Sequence, residues 1–434
     1  MKRIPMQLLL LAAFAALFTV ATNSSAQNWT ETLNITTPGY YLTSPVTIDS
    51  AGNLYSATTE AGTVNGSCSF GCGLVYKVAV GAHRKPEILY KFEGSDGAYP
   101  TGHLILNANG KIYGAANYGD VNEFGGVYEL SPPAIRYWTE TSIYDFANFA
   151  DGYGPNSLVS DSRGNLFGST FYGGAPGCVE GFGCGTLFEL LPDGSGGWTK
   201  ATIYTFTDQA DGSRPVGQLT LDSQGNIYGT TLLGGAFSTQ LCSLGCGTVF
   251  KLSPQSGGTW NFSTLYTFDG TTAFSANGSL ALDETGNLFG TTRYGGAINN
   301  PNCAPTDGCG IVFELSPTQS GWTETTLHSF VDGVDGAYPA GGLSLDSEGN
   351  LYGAVAVGDT PCDNGALGCG AIYEISPTSG GNWTFQHIYT FHGPNGFSPV
   401  GDLTLDSAGN LYGTAAGSTT QPGNLFEISP PAHN

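Results

Sequence analysis

Charge is scarce in this chain: Asp, Glu, Lys and Arg make up 11% of its 434 residues, against roughly 25% in an ordinary domain. Basic charge is scarcest, with 13 Lys and Arg against 35 Asp and Glu and a formal net charge of −22. That balance excludes nucleic acid as a partner, because binding to phosphate depends on Lys and Arg displacing counterions. Long apolar runs are missing after residue 26, where nothing approaches the roughly 20 residues a spanning helix needs. No membrane insertion is expected. Helical periodicity is absent from the same region, and so are a phosphate loop, a dinucleotide fingerprint and a Ser/His/Asp motif. No cofactor is implied.

The N-terminal 26 residues read as a signal peptide. Lys2 and Arg3 form a positive start, Met6 to Val20 is apolar, and Ser24-Ser25-Ala26 offers small residues for cleavage. Removing this segment leaves 11 basic against 35 acidic residues. The expectation is a secreted or otherwise extracytoplasmic protein, monomeric, with residues 27–434 forming one domain.

Glycine is abundant instead, at 66 residues, and aromatics reach 12%. One motif recurs seven times: DSAGNLYS at Asp49, NANGKIYG at Asn107, DSRGNLFG at Asp161, DSQGNIYG at Asp222, DETGNLFG at Asp283, DSEGNLYG at Asp346 and DSAGNLYG at Asp406. The central glycines (Gly52, Gly110, Gly164, Gly225, Gly286, Gly349, Gly409) lie 54 to 63 residues apart. Such a period signals an array of one supersecondary unit that cannot bury its apolar face alone.

The unit around Gly225 shows four strands. QLTLD and NIYGTT alternate apolar and polar residues on either side of an SQGN turn; a loop follows, then GTVFKL, a Ser-Pro stop and WNFSTLYTF. Labelled a to d, these four antiparallel strands match a propeller blade. All six tryptophans open strand d: Trp138, Trp198, Trp260, Trp322 and Trp383 within the array, and Trp29 ahead of the first strand a. The last repeat has no strand d after NLFEISP. A spare d strand at the front and a missing one at the back predict an all-β, seven-bladed β-propeller closed by the N-terminal strand, an arrangement for which the competing β-solenoid has no use.

The recurring DGxxPxGxLxLDxxGNLYGTTxxGG, followed by GTVFKLSP and a WTxxxLYTF strand, resembles the GloVer tandem repeats of secreted bacterial proteins. The resemblance spans Asn28 to Pro430. It implies export and a repeat domain, often with a C-terminal surface anchor, and brings no catalytic residues. No anchor-like tail follows Pro431 here, so attachment is not part of the expectation.

Ten cysteines form five local pairs: Cys68 with Cys72, Cys178 with Cys184, Cys242 with Cys246, Cys303 with Cys309, and Cys362 with Cys369. Each falls in the loop between strands b and c; the second and seventh blades lack one. Even number, short spacing and export favour disulfides. Zinc is disfavoured because the six histidines do not accompany the cysteines at ligand spacing. No metal site is expected.

In such a blade the b to c loop and the d to a connection emerge on one face, which carries length, aromatics and disulfides together. Candidate ligand-binding residues there are Tyr99, Tyr118, Tyr153, Tyr172, Arg214, Arg293, Tyr294, Tyr338 and Phe397, with Asn299, Asn300, Asp359 and Asp363 as hydrogen-bonding groups. The repeated Asp of DSxGN and the DG of the d to a loops read first as turn caps. A calcium role at DSxGN is the less favoured alternative. The tryptophans and the aromatic of NLYG read as packing between blades.

Two functions fit. The first is a binding or scaffold module, for an extracellular glycan or a protein; the acidic charge argues against an anionic polymer. The second is a carbohydrate-active hydrolase or lyase, which would draw on Asp120, Glu123, Glu180, Asp307 or Asp359. Hydrolysis needs two carboxylates facing across a pocket, and no such constellation is legible.

Overall fold

The computed structural model describes residues 29–431, apart from 39–40, 43, 65–67, 82–84, 120, 135, 175, 179–180, 297–302, 304–307, 359–361, 363–367, 394–395 and 417–421. The signal-peptide segment lies outside them, as do Asp120, Glu180, Asn299, Asn300, Asp307, Asp359 and Asp363. Seven antiparallel sheets form a seven-bladed β-propeller, with no α-helix among the described residues. Four sheets have four strands. In the other three, strand a is split into two short pieces, as at Ala337–Pro339 and Ser344–Leu345.

The ring closes as the tryptophan count predicts. Thr30–Thr36 lies antiparallel to Asn424–Ser429, with Glu31 opposite Ile428 and Thr36 opposite Asn424, and so supplies strand d of the seventh blade. Every sheet then has a neighbour on both sides, which leaves no open end to the array.

Local sequence explains each blade. Strands b and c are buried on both faces, so they run as near-continuous apolar stretches such as Ile227–Leu233 and Thr248–Pro254. Strand d alternates, as in Trp198–Thr205. The glycine of NLYG is demanded by close approach: a Cβ at Gly229 would stand 2.6 Å from Cζ of Phe250, its cross-strand partner. The turn aspartates act as caps. Asp222 Oδ1 accepts the amides of Gln224 (2.9 Å) and Asn226 (2.8 Å), while Oδ2 accepts Asn226 Nδ2 and the Tyr228 hydroxyl (3.1 Å). Burial by itself would raise this carboxyl; the hydrogen bonds outweigh it and hold the group below its usual range.

Blades join through aromatic contacts. Trp198 meets Tyr113 edge-on at 5.8 Å, Trp260 meets Phe167 at 5.7 Å, Trp383 meets Phe289 at 5.9 Å and Trp29 meets Tyr352 at 5.8 Å, each pair bridging neighbouring blades. At the axis a second set of contacts operates. Hydroxyls on strand a donate to the backbone of the next strand a, from Thr47 to Leu104 O (2.8 Å), Thr220 to Leu280 O (2.6 Å) and Thr404 to Val46 O, the last joining the seventh blade to the first. Backbones touch there as well. A Cβ at Gly217 would lie 2.5 Å from the Gly278 carbonyl carbon, and one at Gly278 would lie 2.3 Å from that of Gly341. Only glycine permits this approach.

Candidate functional site

Five cysteine pairs sit at bridging distance, with Cα separations of 5.1, 5.4, 5.1, 5.5 and 5.2 Å. All five are local to their b to c loops, as their spacing indicates. Each second cysteine also ties its loop to the next blade. Its carbonyl accepts the amide of the residue at the head of the neighbouring strand a: Cys72 from Tyr99 (2.8 Å), Cys184 from Arg214 (2.7 Å), Cys246 from Ser275 (3.1 Å), Cys309 from Tyr338 (2.8 Å) and Cys369 from Ser398 (2.7 Å).

Those five amide donors share an unusual backbone. Their φ angles are 56°, 56°, 59°, 59° and 45°, a left-handed conformation that costs a non-glycine residue about 1 kcal/mol or more. The stapled loop and the following blade hold it in place. The second blade lacks the cysteines, and there Gly154 donates to Phe124 O at 3.1 Å. Aromatic packing replaces the staple: Phe124 lies 5.0 Å from Phe149 and 5.6 Å from Tyr153, and Tyr153 stacks on Tyr172 at 5.7 Å.

The nine candidate side chains therefore lie at the blade junctions of one face, and all are half-buried rather than free-standing. Tyr99 and Tyr118 are neighbours (6.4 Å), and the Tyr118 hydroxyl donates to Glu123 Oε2 at 3.2 Å. Phe274 stacks on Tyr294 at 5.2 Å, and Tyr294 meets Tyr338 at 5.8 Å. The Arg214 guanidinium lies 5.6 Å from the Phe171 ring and 5.2 Å from that of Tyr172. Arg293 lies 5.8 Å from Tyr294 and 5.5 Å from Tyr338. Phe397 packs against the core between the sixth and seventh blades. Treating Tyr294 and Tyr338 as exposed platforms understates their packing, since both adjoin core clusters.

The DG aspartates serve the loops. Asp96 accepts the Tyr90 hydroxyl (2.6 Å) and Glu93 amide (2.7 Å), and Asp211 accepts Tyr204 (3.0 Å) and Thr207 (2.9 Å). Of the acidic residues considered for hydrolysis, only Glu123 is among those described, and it is engaged by Tyr118. No group of three His, Cys, Asp or Glu suited to a metal occurs among the described residues.

A polar centre at the axis escaped the sequence reading. Asp402 is 8% exposed, and it gathers three blades besides its own: His103 Nε2 lies 3.1 Å and Ser279 Oγ 2.6 Å from Oδ2, and the Gly342 amide donates to Oδ1. Burial would raise this carboxyl; the His103, Ser279 and Gly342 contacts overcome that and lower it. The signal was the residue between Gly and Leu in PxGxL, which changes from His103 to Gln218, Ser279, Gly342 and Asp402 while its neighbours repeat. A cavity of about 210 Å³ surrounds this centre. Another, of about 780 Å³, opens on the opposite face between Asp49, His103, Ser344, Thr404 and Asp406.

The model of the Gloeobacter/Verrucomicrobia repeat matches residues 43–304, 138–360 and 243–434, so the chain belongs to that repeat family. No curated protein matches it. Among solved structures it is similar to the extracellular domain of a proposed one-component system from B. thetaiotaomicron, at 14% identity and a TM-score of 0.50, covering 94% of this chain and 41% of that one. A luciferin-regenerating enzyme aligns at 13% identity and a TM-score of 0.46, over 92% of this chain and 95% of that one. A protein of unknown function from Dyadobacter fermentans aligns at 12% and 0.48, over 93% and 99%. Identities this low speak to the fold alone.

Proposed function

We propose that this chain is an extracytoplasmic binding module that engages an extracellular ligand, a glycan in the first instance, through the disulfide-stapled face. One observation carries the reading. Among the described residues, twelve large apolar side chains are exposed, and eight of them (Val64, Phe70, Val121, Phe149, Phe182, Phe237, Leu244 and Val334) stand on the b to c or d to a loops of that face. Exposed apolar surface gathered on one side marks an interaction site rather than a folding requirement. Phe70, Phe182 and Leu244 occupy one position, two residues before the second cysteine of a bridge. Each is thus presented by a short closed ring, which lowers the ordering entropy lost on binding.

The 780 Å³ cavity of the other face is a weaker candidate. Its hydroxyls at Thr47, Ser344 and Thr404 already donate to backbone carbonyls of neighbouring blades, and Asp49 and Asp406 cap their own turns. These five polar groups are committed to the fold. Family membership and the propeller architecture are compatible with a binding or scaffold role. Five local disulfides accord with an oxidising compartment.

A test is to screen the secreted protein on an array of bacterial and plant wall glycans, scoring retention and released product separately. The variant Phe70→Ser/Phe182→Ser/Leu244→Ser should keep the parental melting temperature and lose retention. Retention that survives in the triple variant would move the site off this face. Released product would favour a hydrolase or lyase.

A further inference from the structure

We infer that the cavity on the propeller axis binds a hard divalent cation of the calcium class, held by oxygens of Gln218, Asn277 and Asp402 from the fourth, fifth and seventh blades. The inference goes beyond the reading of the stapled face and does not depend on it. All three residues line the cavity of about 210 Å³ that surrounds the axial centre. At about 30 Å³ for each water it has room for about seven, enough for an ion that keeps part of its hydration shell.

The wall presents acceptors. Asn277 Nδ2 donates to Pro339 O at 3.2 Å and Gln218 Nε2 donates to Leu158 O, which fixes both amides with their nitrogens on backbone carbonyls. Their oxygens, Asn277 Oδ1 and Gln218 Oε1, are buried and accept no hydrogen bond among the described residues. Asp402 adds a carboxylate. Its Oδ2 meets His103 and Ser279 and its Oδ1 accepts the Gly342 amide, so one of the roughly four lone-pair positions of a carboxylate remains, on Oδ1.

The fold is able to satisfy such an amide and in the fifth blade does not. Asn156 stands in the third blade where Asn277 stands in the fifth, and it likewise donates Nδ2 to the proline carbonyl of the next blade, Pro215, at 2.8 Å. There Ser169 Oγ donates to Asn156 Oδ1 at 2.7 Å. The equivalent hydroxyl of the fifth blade, on Thr291, turns instead to Gly341 O at 2.6 Å. Nor does blade packing require the amide, since Val216 and Val400 fill the same position in the fourth and seventh blades. A buried oxygen without a donor costs stability. A carboxylate and two amide oxygens around a wet cavity form the all-oxygen donor set of calcium, and a single negative charge points to an affinity on the order of 10⁻⁴ to 10⁻³ M.

The probe is CaCl₂ added to protein dialysed against EDTA. At about 10 mM it should raise the melting temperature by about 2 °C, and magnesium, which holds its own waters more tightly, should do less. Asn277→Val and Gln218→Ser, each a residue already found at that position in another blade, should lose the calcium response. Asn156→Val is the control. It gives up the same bond to a proline carbonyl, yet its oxygen is already satisfied, so the response should persist. An equal response to magnesium would mean charge screening and would overturn the inference. So would a response that survives in both Asn277→Val and Gln218→Ser, or one that Asn156→Val removes as fully. A crystal structure of the parent grown in CaCl₂ should show the ion at the axis; water alone there would also overturn it.

Discussion

His103 Nε2 and Asp402 Oδ2 meet 3.1 Å apart at the propeller axis although 299 residues separate them in the chain. The contact spans the second and seventh blades, with the first lying between them in the ring. Ser279 of the fifth blade and the Gly342 amide of the sixth converge on the same carboxylate. One side chain thus draws four of the seven blades together.

Replacing Asp402 with Ala should cost about 3 kcal/mol or more, because the buried partners lose their acceptor at once. Chemical unfolding measures it. The carboxyl is held below its usual value, so its contribution is present above the unfolded value of about 3.9 and is lost as pH falls through the lower folded one. Accordingly Asp402→Asn should be less stable than the parent at neutral pH, with the gap closing only in acid below about pH 4. A gap that is constant down to pH 2 would mean that charge is not what the partners read.

Glu140 should behave in the opposite sense. Burial, then the nearby charges of Asp96 and Asp145, pushes its carboxyl up to about 7. A raised carboxyl favours the folded state below its unfolded value, and that contribution fades as pH rises through 7. Glu140→Gln should therefore match the parent below about pH 4.5 and exceed it at pH 8 by about 1 kcal/mol, discounted for solvent screening. The third blade shows what the slot accepts: Lys200, two residues after its tryptophan as Glu140 is, places Nζ 2.6 Å from Asp151 Oδ1. Glu140→Lys should raise the melting temperature further. A decrease would show that the two slots differ in shape.

Removing residues 27–37 should sharply lower the melting temperature and promote association, since strand Asn424–Ser429 would be left as an open edge. Light scattering and calorimetry report the two effects. A deletion protein that is monomeric and as stable as the parent is incompatible with closure by this strand.

Peptide mapping without reduction should recover five intraloop bridges. Opening one by replacing Cys303 and Cys309 with Ser should cost about 2 kcal/mol on the chain-entropy model. It should also loosen Tyr338, whose amide is anchored on the Cys309 carbonyl, so hydrogen exchange at that amide is expected to rise while that of Tyr99 stays unchanged. Equal exchange at both would detach the staple from the junction.

Tyr338→Ala and Tyr294→Ala should lower stability modestly as well as weaken binding, because both rings are half-buried against the core. Gln224→Ala and Glu348→Ala, in the turns of the opposite face, should change neither. Binding that responds to the turn variants alone would put the site on the other side of the ring.

The repeat motif and the displaced Trp29 were sufficient for fold class, blade number and closure, because strand patterning, turn capping and register act over a few residues. Asp222 can be read as a cap from its own sequence, since the amides it accepts lie two and four positions on. The bridges were legible for the same reason: closing a loop of four to seven residues is a local act. The axial centre was not legible. His103, Ser279, Gly342 and Asp402 occupy one position of the repeat, and periodicity makes equivalent residues look like variations on a theme rather than like neighbours. The ring alone makes them neighbours, by turning a repeat along the chain into rotation about an axis where every strand a converges. The pairing of Arg214 with Tyr172 and of Arg293 with Tyr338 was decided in the same way. Each contact crosses a blade boundary, and only tertiary packing sets which side chains meet there.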